Sequence, residues 1–166
     1  MQIRPETSAD WLAVYALHAA AFPTKAEAEL VSRLRTTATP IISLVAEHGA
    51  AIVGHILFTP VTLADSSQLL MGLAPVAVTP ALQNQGVGAA LICAGLEQCR
   101  QAGAVAVFVL GHAEYYPRFG FVPSVLRGIS CEYAVPPENF MCLALSANLN
   151  VPDHACVRYH AEFARI

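Results

Sequence analysis

Hydrophobic residues near the start of the chain recur every three or four positions in two stretches. The first, Trp11–Phe22, has the spacing of one apolar helix face and stops at Pro23. The second covers about residues 25–35, and a short edge strand over residues 1–5 precedes both. This part of the sequence therefore predicts a strand followed by two helices.

Three strand-like apolar runs come next, and each ends at residues typical of turns. They cover Ile41–Glu47, Ala51–Val61 and Leu69–Val78. A polar stretch then leads into a third predicted helix over about residues 86–101, with Gly103 as its expected C-terminal cap. The last of these three strands is thus expected to lead, through a short polar loop, into a helix.

The following segment, Ala104–Leu110, contains no polar residue, which is typical of a strand buried on both faces. Beyond it we predict a short helix near residues 113–119, two strands near 128–133 and 140–145, and an irregular tail. This order predicts one mixed sheet with helices packed against it, so the predicted fold class is α/β or α+β.

Length and composition indicate one folded domain. The chain has 166 residues, of which 55% are hydrophobic and 13% charged, so it can build a core and is not expected to be disordered. We predict a single domain over residues 1–166, with a motif-bearing core over about 1–146 and a tail over 147–166. No apolar run reaches the ~20 residues of a membrane helix. No signal peptide is visible, so the predicted location is cytoplasmic, without a membrane partner.

Charge and cysteine content argue against several functions. The net charge is −3 and no run of Lys or Arg occurs, so a nucleic-acid partner is not expected. The five cysteines form no C-x-x-C pair, and the six histidines have no metal-binding spacing. We expect reduced, mostly buried thiols and no metal.

The most informative segment is the predicted strand-to-helix junction Val76–Ala89, with the sequence VAVTPALQNQGVGA. The first amides of a helix have no internal partner and lie at the positive end of its dipole. Gly86 and Gly88 leave this backbone open to an anion, which predicts a phosphate-binding loop. A P-loop would need a Lys after the glycines, and a dinucleotide fingerprint would need Gly or Ala where Leu91 stands. An ordinary strand-to-helix turn is the remaining alternative for this segment alone.

A second motif, YYPRFGF, follows about 30 residues later. In it Tyr116 stands four residues before the Gly-Phe pair that begins at Gly120. The Q-x-x-G-x-G pattern from Gln83 and this second motif resemble, in this order, the signatures of the GCN5-related N-acetyltransferase (GNAT) family. The stretches GHILFTPV and LAPVAV are similar to its YhbS-type subgroup. The resemblance extends from the first strand to about Leu145.

The resemblance implies a fold, a cofactor and a set of binding residues. The implied fold is a mixed, mostly antiparallel central sheet flanked by helices, in which the fourth and fifth strands splay apart. Acetyl-CoA would bind in the gap as a cosubstrate, with its pantetheine arm along the fourth strand and its pyrophosphate on the glycine loop. The implied cofactor-binding residues are Val76, Ala77, Val78, Gln83, Asn84, Gln85, Gly86, Val87, Gly88 and Ala89.

The resemblance also implies direct acetyl transfer, in which a neutral amine attacks the thioester and Tyr116 protonates the leaving thiolate. The amide near Val78 would polarise the carbonyl group. Tyr115 is not expected to reach the same sulfur, because successive helical residues point about 100° apart. We assign no general base, and the candidates are Glu29, Glu47, His55, His112 and Glu114. For His55, a structural, hydrogen-bonded role is the simpler interpretation.

We therefore expect an acetyl-CoA-dependent N-acetyltransferase that acts on a primary amine. Acidic residues are scattered singly, and the nearest pair, Glu27 and Glu29, cannot share a helix face. This favours a monoamine acceptor, such as a small metabolite, an amino acid or a peptide N-terminus, over a polycation. A longer acyl-CoA donor, a nucleotide-binding module, and a CoA-binding sensor or non-catalytic partner protein stay open as alternatives. A homodimer is one assembly that the sequence leaves open.

Overall fold

The computed structural model describes residues 1–166 and contains three α-helices and nine β-strands. The three longer predicted helices are present, with ends within two residues of the predicted ones. The helices are α1 (Trp11–Ala21), α2 (Ala26–Thr37) and α3 (Val87–Gln101). The strands are β1 (Gln2–Pro5), β2 (Ile42–His48), β3 (Ala51–Val61), β4 (Leu70–Val78), β5 (Ala106–Leu110), β6 (Val122–Pro123), β7 (Ile129–Cys131), β8 (Phe140–Ala144) and β9 (Ala155–Val157).

Seven of the strands form one sheet in the order β1-β2-β3-β4-β5-β8-β6. All neighbouring pairs are antiparallel except β4 and β5, which run parallel. The mixed, mostly antiparallel sheet that the sequence predicts is therefore confirmed.

Both faces of this sheet are covered by other parts of the protein. Successive side chains of a strand point to opposite faces, so each strand contributes to two cores. Ile56 and Phe58 of β3 belong to the core that contains the buried face of α3. Leu57, which lies between them, belongs with Val45 of β2 to the core formed with α1 and α2. The central strands are apolar on both sides for this reason.

The strands β4 and β5 pair only over their first residues, where Leu70–Gly72 is opposite residues 106–108. A register shift against β3 then places Ala74 and Pro75 opposite a single residue of that strand. Pro75 has no N–H to donate to a neighbouring strand. Beyond this point β4 continues to Val78 without β5 beside it, whereas β5 continues to pair with β8. The predicted splay between the fourth and fifth strands is confirmed.

The structure corrects the predictions made for the segments beyond β5. The short helix expected near residues 113–119 is a 3-10 turn over Tyr116–Phe119. β7 does not join the main sheet but pairs in parallel with β9 in a separate two-stranded sheet. The predictions of one shared sheet and of an irregular tail are thus wrong. With three residues in β9 and two in β6, neither strand is long enough to show a periodic pattern.

All five cysteines are free thiols. Cys99 and Cys142 are buried, Cys131 and Cys156 are partly buried, and Cys93 is exposed on α3. None of the helices combines the length and the apolar character that crossing a membrane requires.

Candidate active site

A cleft of about 550 Å³ opens where β4 and β5 separate. The end of β4, the loop before α3, the first turns of α3 and the segment that follows β5 form its walls. Seven of the ten predicted cofactor-binding residues line this cleft. They are Val76, Val78, Gln83, Asn84, Gly86, Gly88 and Ala89.

The three other predicted residues do not line the cleft. Ala77 alternates with its two valine neighbours along β4 and is buried opposite His55. Val87 belongs to the core under α3. Gln85 is exposed and donates a hydrogen bond to the carbonyl oxygen of Ala81 at 3.2 Å. The side chains of Ala77 and Val87 therefore pack in the core, and that of Gln85 is exposed to solvent.

The glycine loop presents the open amino end of α3 to this cleft. Gly86 caps the helix with φ 90°, a left-handed conformation that side chains disfavour. The N–H of Ala90 donates to the carbonyl oxygen of Gly86 at 3.0 Å, so the amides of residues 87–89 precede the first helical bond. A β-carbon at Gly88 would lie 3.7 Å from both Val78 and the Tyr115 hydroxyl. The loop can therefore hold an anion between the helix amides and the end of β4.

Tyr115 and Arg118 form the opposite wall of the cleft. The guanidinium carbon of Arg118 lies 4.2 Å from the centroid of the Tyr115 ring, and its Nε donates to the Tyr115 carbonyl oxygen at 2.8 Å. This places a fixed positive charge beside a loop suited to phosphate. Arg118 is not among the residues predicted to bind the cofactor, although it stands inside the second motif.

Tyr116 lies deeper than Tyr115 and is nearly buried, with 8% of its surface exposed. The Tyr115 ring meets it edge-on at 5.2 Å, and Phe121 packs against it at 5.8 Å. Burial raises the pKa of Tyr116 to about 12. Its hydroxyl therefore carries its proton at neutral pH.

A second cleft, of about 440 Å³, also borders Tyr116. It shares three lining residues with the first cleft, namely Val76, His112 and Tyr116. Most of its wall is apolar and comes from the end of α1, from α2, from β4 and from the tail. Glu27 also lines it, and one oxygen of this carboxylate, Oε2, is buried without a hydrogen-bond partner. Glu27 is not among the site residues predicted from the sequence, where it entered only as the neighbour of Glu29.

The five candidate bases are not brought together. His112 lines both clefts and Glu114 lies in a shallow neighbouring pocket. Glu29 and Glu47 line neither cleft, and both are near arginines, at 4.0 Å and 3.2 Å. His55 is fully buried away from both clefts. His112 is thus the one candidate that lines both clefts.

His55 belongs to a buried hydrogen-bonded chain. Its Nδ1 lies 2.8 Å from Nε2 of His18, and its Nε2 lies 2.8 Å from the Ser43 hydroxyl. Ser43 donates to Glu6, a carboxylate that also accepts from Arg35, so Ser43 must accept from His55 and His55 from His18. Burial lowers the pKa of both histidines to about 3, so both are neutral.

Comparison with known proteins identifies the family. The acetyltransferase (GNAT) domain matches residues 2–124 of the chain. The chain belongs to the GNAT acetyltransferase family. Among similar proteins of this family, the uncharacterized N-acetyltransferase YjhQ of Escherichia coli K12 is 45% identical over 127 residues, covering 74% of this chain and 70% of YjhQ. The uncharacterized N-acetyltransferase YhbS of the same strain is 30% identical over 166 residues, or 99% of each chain.

Two solved GNAT structures are similar over almost the whole length. The crystal structure of YhbS from Escherichia coli in complex with CoA superposes with a TM-score of 0.91 at 31% identity, covering 99% of this chain and 92% of YhbS. A GNAT acetyltransferase from Brucella melitensis in complex with acetyl-CoA gives a TM-score of 0.80 at 36% identity, covering 98% and 97%. The predicted family, the similarity to YhbS, the acetyltransferase activity and the acetyl-CoA cosubstrate are confirmed. The roles of individual site residues stay predictions.

Proposed function

We propose that this GNAT acetyltransferase transfers an acetyl group from acetyl-CoA directly to the primary amine of a small monoamine or a peptide N-terminus. One observation carries the proposal: two clefts meet at Tyr116 and share Val76, His112 and Tyr116 among their lining residues. A donor in the first cleft and an acceptor in the second can therefore meet without a covalent enzyme intermediate.

The first cleft fits the cosubstrate in both shape and charge. The amides of residues 84–89 and the guanidinium of Arg118 would hold the pyrophosphate. The unpaired edge of β4 from Val76 to Val78 would receive the pantetheine amides as an added strand. Acetyl-CoA supplies the thioester carbon that is attacked and the thiolate that leaves.

Tyr116 and the backbone would then promote transfer. The amine nitrogen forms a bond to the thioester carbon while the carbon–sulfur bond breaks, and the Tyr116 hydroxyl gives its proton to the sulfur. The amine loses one proton to water or to a base, and His112 is the group placed closest to this junction among the candidates. The amide of Val78 would stabilise the negative charge on the carbonyl oxygen.

We infer that the tail over residues 147–166 belongs to the same single domain. β9 pairs with β7, and Phe163 from the following 3-10 turn lines the second cleft. Without this segment the acceptor side would lose part of its wall. The cytoplasmic location stays a prediction.

The test combines cofactor binding with turnover. Acetyl-CoA should raise the melting temperature whereas ATP and NAD should not, and thiol release should be measured with monoamines, spermidine and kanamycin at matched concentration. Stabilisation without release from any amine would favour the CoA-binding sensor. A kcat/KM for the polycations ten times that of every monoamine would refute a monoamine acceptor.

A further inference from the structure

The second cleft contains a single acidic side chain. Glu27 is the one acidic residue among those that line this cleft, and its Oε2 is buried without a partner. It takes part in none of the ion pairs of the molecule. A buried carboxylate oxygen without a donor is costly, so a donor supplied by a ligand would be bound favourably.

The position of Glu27 on α2 explains why it faces the cleft. It precedes Leu30 by three residues and Leu34 by seven, so it lies on the helix face that packs against the sheet. Leu30 lines the same cleft. Glu29, two residues away, is exposed on another face beside Arg33. Glu27 also stands in the first turn of α2, where the helix dipole favours a negative charge.

We propose that Glu27 is the acceptor-binding residue that selects a primary amine with an apolar body and no carboxylate next to the amine. This rests on the proposed function above. The ammonium group donates to Glu27 before transfer, and the apolar part of the acceptor packs against Phe22, Leu30, Leu73 and Phe163.

The composition of the cleft also specifies which acceptors it rejects. No Lys or Arg lines it, so no permanently charged cation would face the carboxylate of a free α-amino acid beside Glu27. A polyamine would bring a second ammonium into an apolar wall, where it would lose its hydration without a new partner. These two exclusions narrow the expected acceptors to amines whose remaining part is apolar and uncharged, amino-acid amides, and peptide N-termini with apolar first residues.

Four probes separate these possibilities: 2-phenylethylamine, L-phenylalaninamide, L-phenylalanine and spermidine. The first and third differ only by a carboxylate. With wild-type enzyme we expect kcat/KM for 2-phenylethylamine and the amide to exceed that for L-phenylalanine and spermidine by at least about tenfold. Equal or greater kcat/KM for L-phenylalanine or spermidine overturns the proposal.

The variant Glu27→Gln keeps the shape of the side chain and removes its charge. We expect KM for 2-phenylethylamine to rise about 10- to 100-fold. The preference for 2-phenylethylamine over L-phenylalanine should also fall at least about tenfold, because the repulsion of the substrate carboxylate is gone. A merely structural defect would not change this ratio. Glu29→Gln is the matched control and should leave both values at the wild-type level.

Failure of this inference can be distinguished from failure of the proposed function. If acetyl-CoA does not raise the melting temperature of the wild-type protein, the proposed function itself is refuted. If acetyl-CoA binds but none of the probes is acetylated, calorimetric titration of 2-phenylethylamine into the CoA-saturated protein decides the matter. Binding that is weakened at least about tenfold in Glu27→Gln and retained in Glu29→Gln supports the proposal. No binding, or equal binding in all three proteins, overturns it.

Discussion

The ring of Tyr116 lies directly against the backbone of Gly111. A β-carbon built at position 111 would stand 2.3 Å from Cε2 of that ring, much closer than two carbon atoms can approach. Gly111 immediately follows β5, so the absence of a side chain there lets Tyr116 enter the junction of the two clefts. The position of the proposed proton donor therefore depends on the absence of a side chain at position 111.

Gly111→Ala should displace the Tyr116 ring and lower kcat by about 10- to 100-fold, since small misplacements of a reacting group have effects of this size. The Kd for acetyl-CoA should change little. Thiol-release kinetics and calorimetry measure these two quantities. In the double variant Gly111→Ala/Tyr116→Phe, kcat should match that of Tyr116→Phe alone, because both changes act through one hydroxyl. Fully additive losses would contradict this explanation.

Tyr116→Phe should lower kcat by roughly 10²- to 10⁴-fold, the usual range for loss of a general acid. The affinity for acetyl-CoA should be nearly unchanged, because the ring remains in place. Tyr115→Phe serves as the control, since Tyr115 lines only the first of the two clefts described and should affect kcat less. An unchanged kcat in Tyr116→Phe, with any accepted amine, would remove this residue from the proposed mechanism.

Gly86→Val and Gly88→Val should each abolish stabilisation by acetyl-CoA while the circular dichroism spectrum stays that of a folded protein. No atom of the protein lies within 4 Å of a β-carbon at Gly86, so the added side chain would occupy space needed by the pyrophosphate. Gly49→Val is the matched control. Gly49 has φ 63° and an equally open surrounding, so it carries similar backbone strain outside the cleft. Wild-type affinity in both loop variants would show that the pyrophosphate binds elsewhere.

Stability should fall as the pH decreases from about 6.5 to 4.5, because of His18 and His55. The pKa of each is lowered from 6.5 to about 3 in the folded protein. The unfolded chain therefore takes up protons in this interval while the folded chain does not. The free energy of unfolding should drop by up to roughly 1.4 kcal/mol per pH unit for each histidine.

Urea unfolding at several pH values measures this slope, and NMR of the imidazole rings follows each histidine. Both buried rings should show no titration above about pH 4.5. Replacing the exposed His48 by Gln should leave the slope unchanged. A buried ring that titrates near pH 6.5 would show that burial does not control its protonation.

Several features could be predicted from the sequence, because each depends on residues close together along the chain. The apolar periodicity of Leu30 and Leu34 defines α2, and the unbroken apolar run after Gly103 indicates a strand buried on both faces. The glycines at 86 and 88 mark the open end of α3 by local backbone chemistry alone. The resemblance of two motifs to one family then indicated acetyl-CoA and selected Tyr116.

Other features depend on contacts between distant segments, and only the tertiary structure decided them. The spacing of Glu27 from Leu30 and Leu34 places it on the apolar face of α2. Only the packing of the helix shows that Glu27 lines a cleft there, whereas Glu29 stays exposed. The pairing of His18 with His55 joins residues 37 positions apart, and β9 forms only because β7 lies beside it. Periodicity reports which face of an element is apolar, but not what that face meets. The second cleft is built from the ends or faces of α1, α2 and β4 and from the tail, so its chemistry emerges only when these segments pack together.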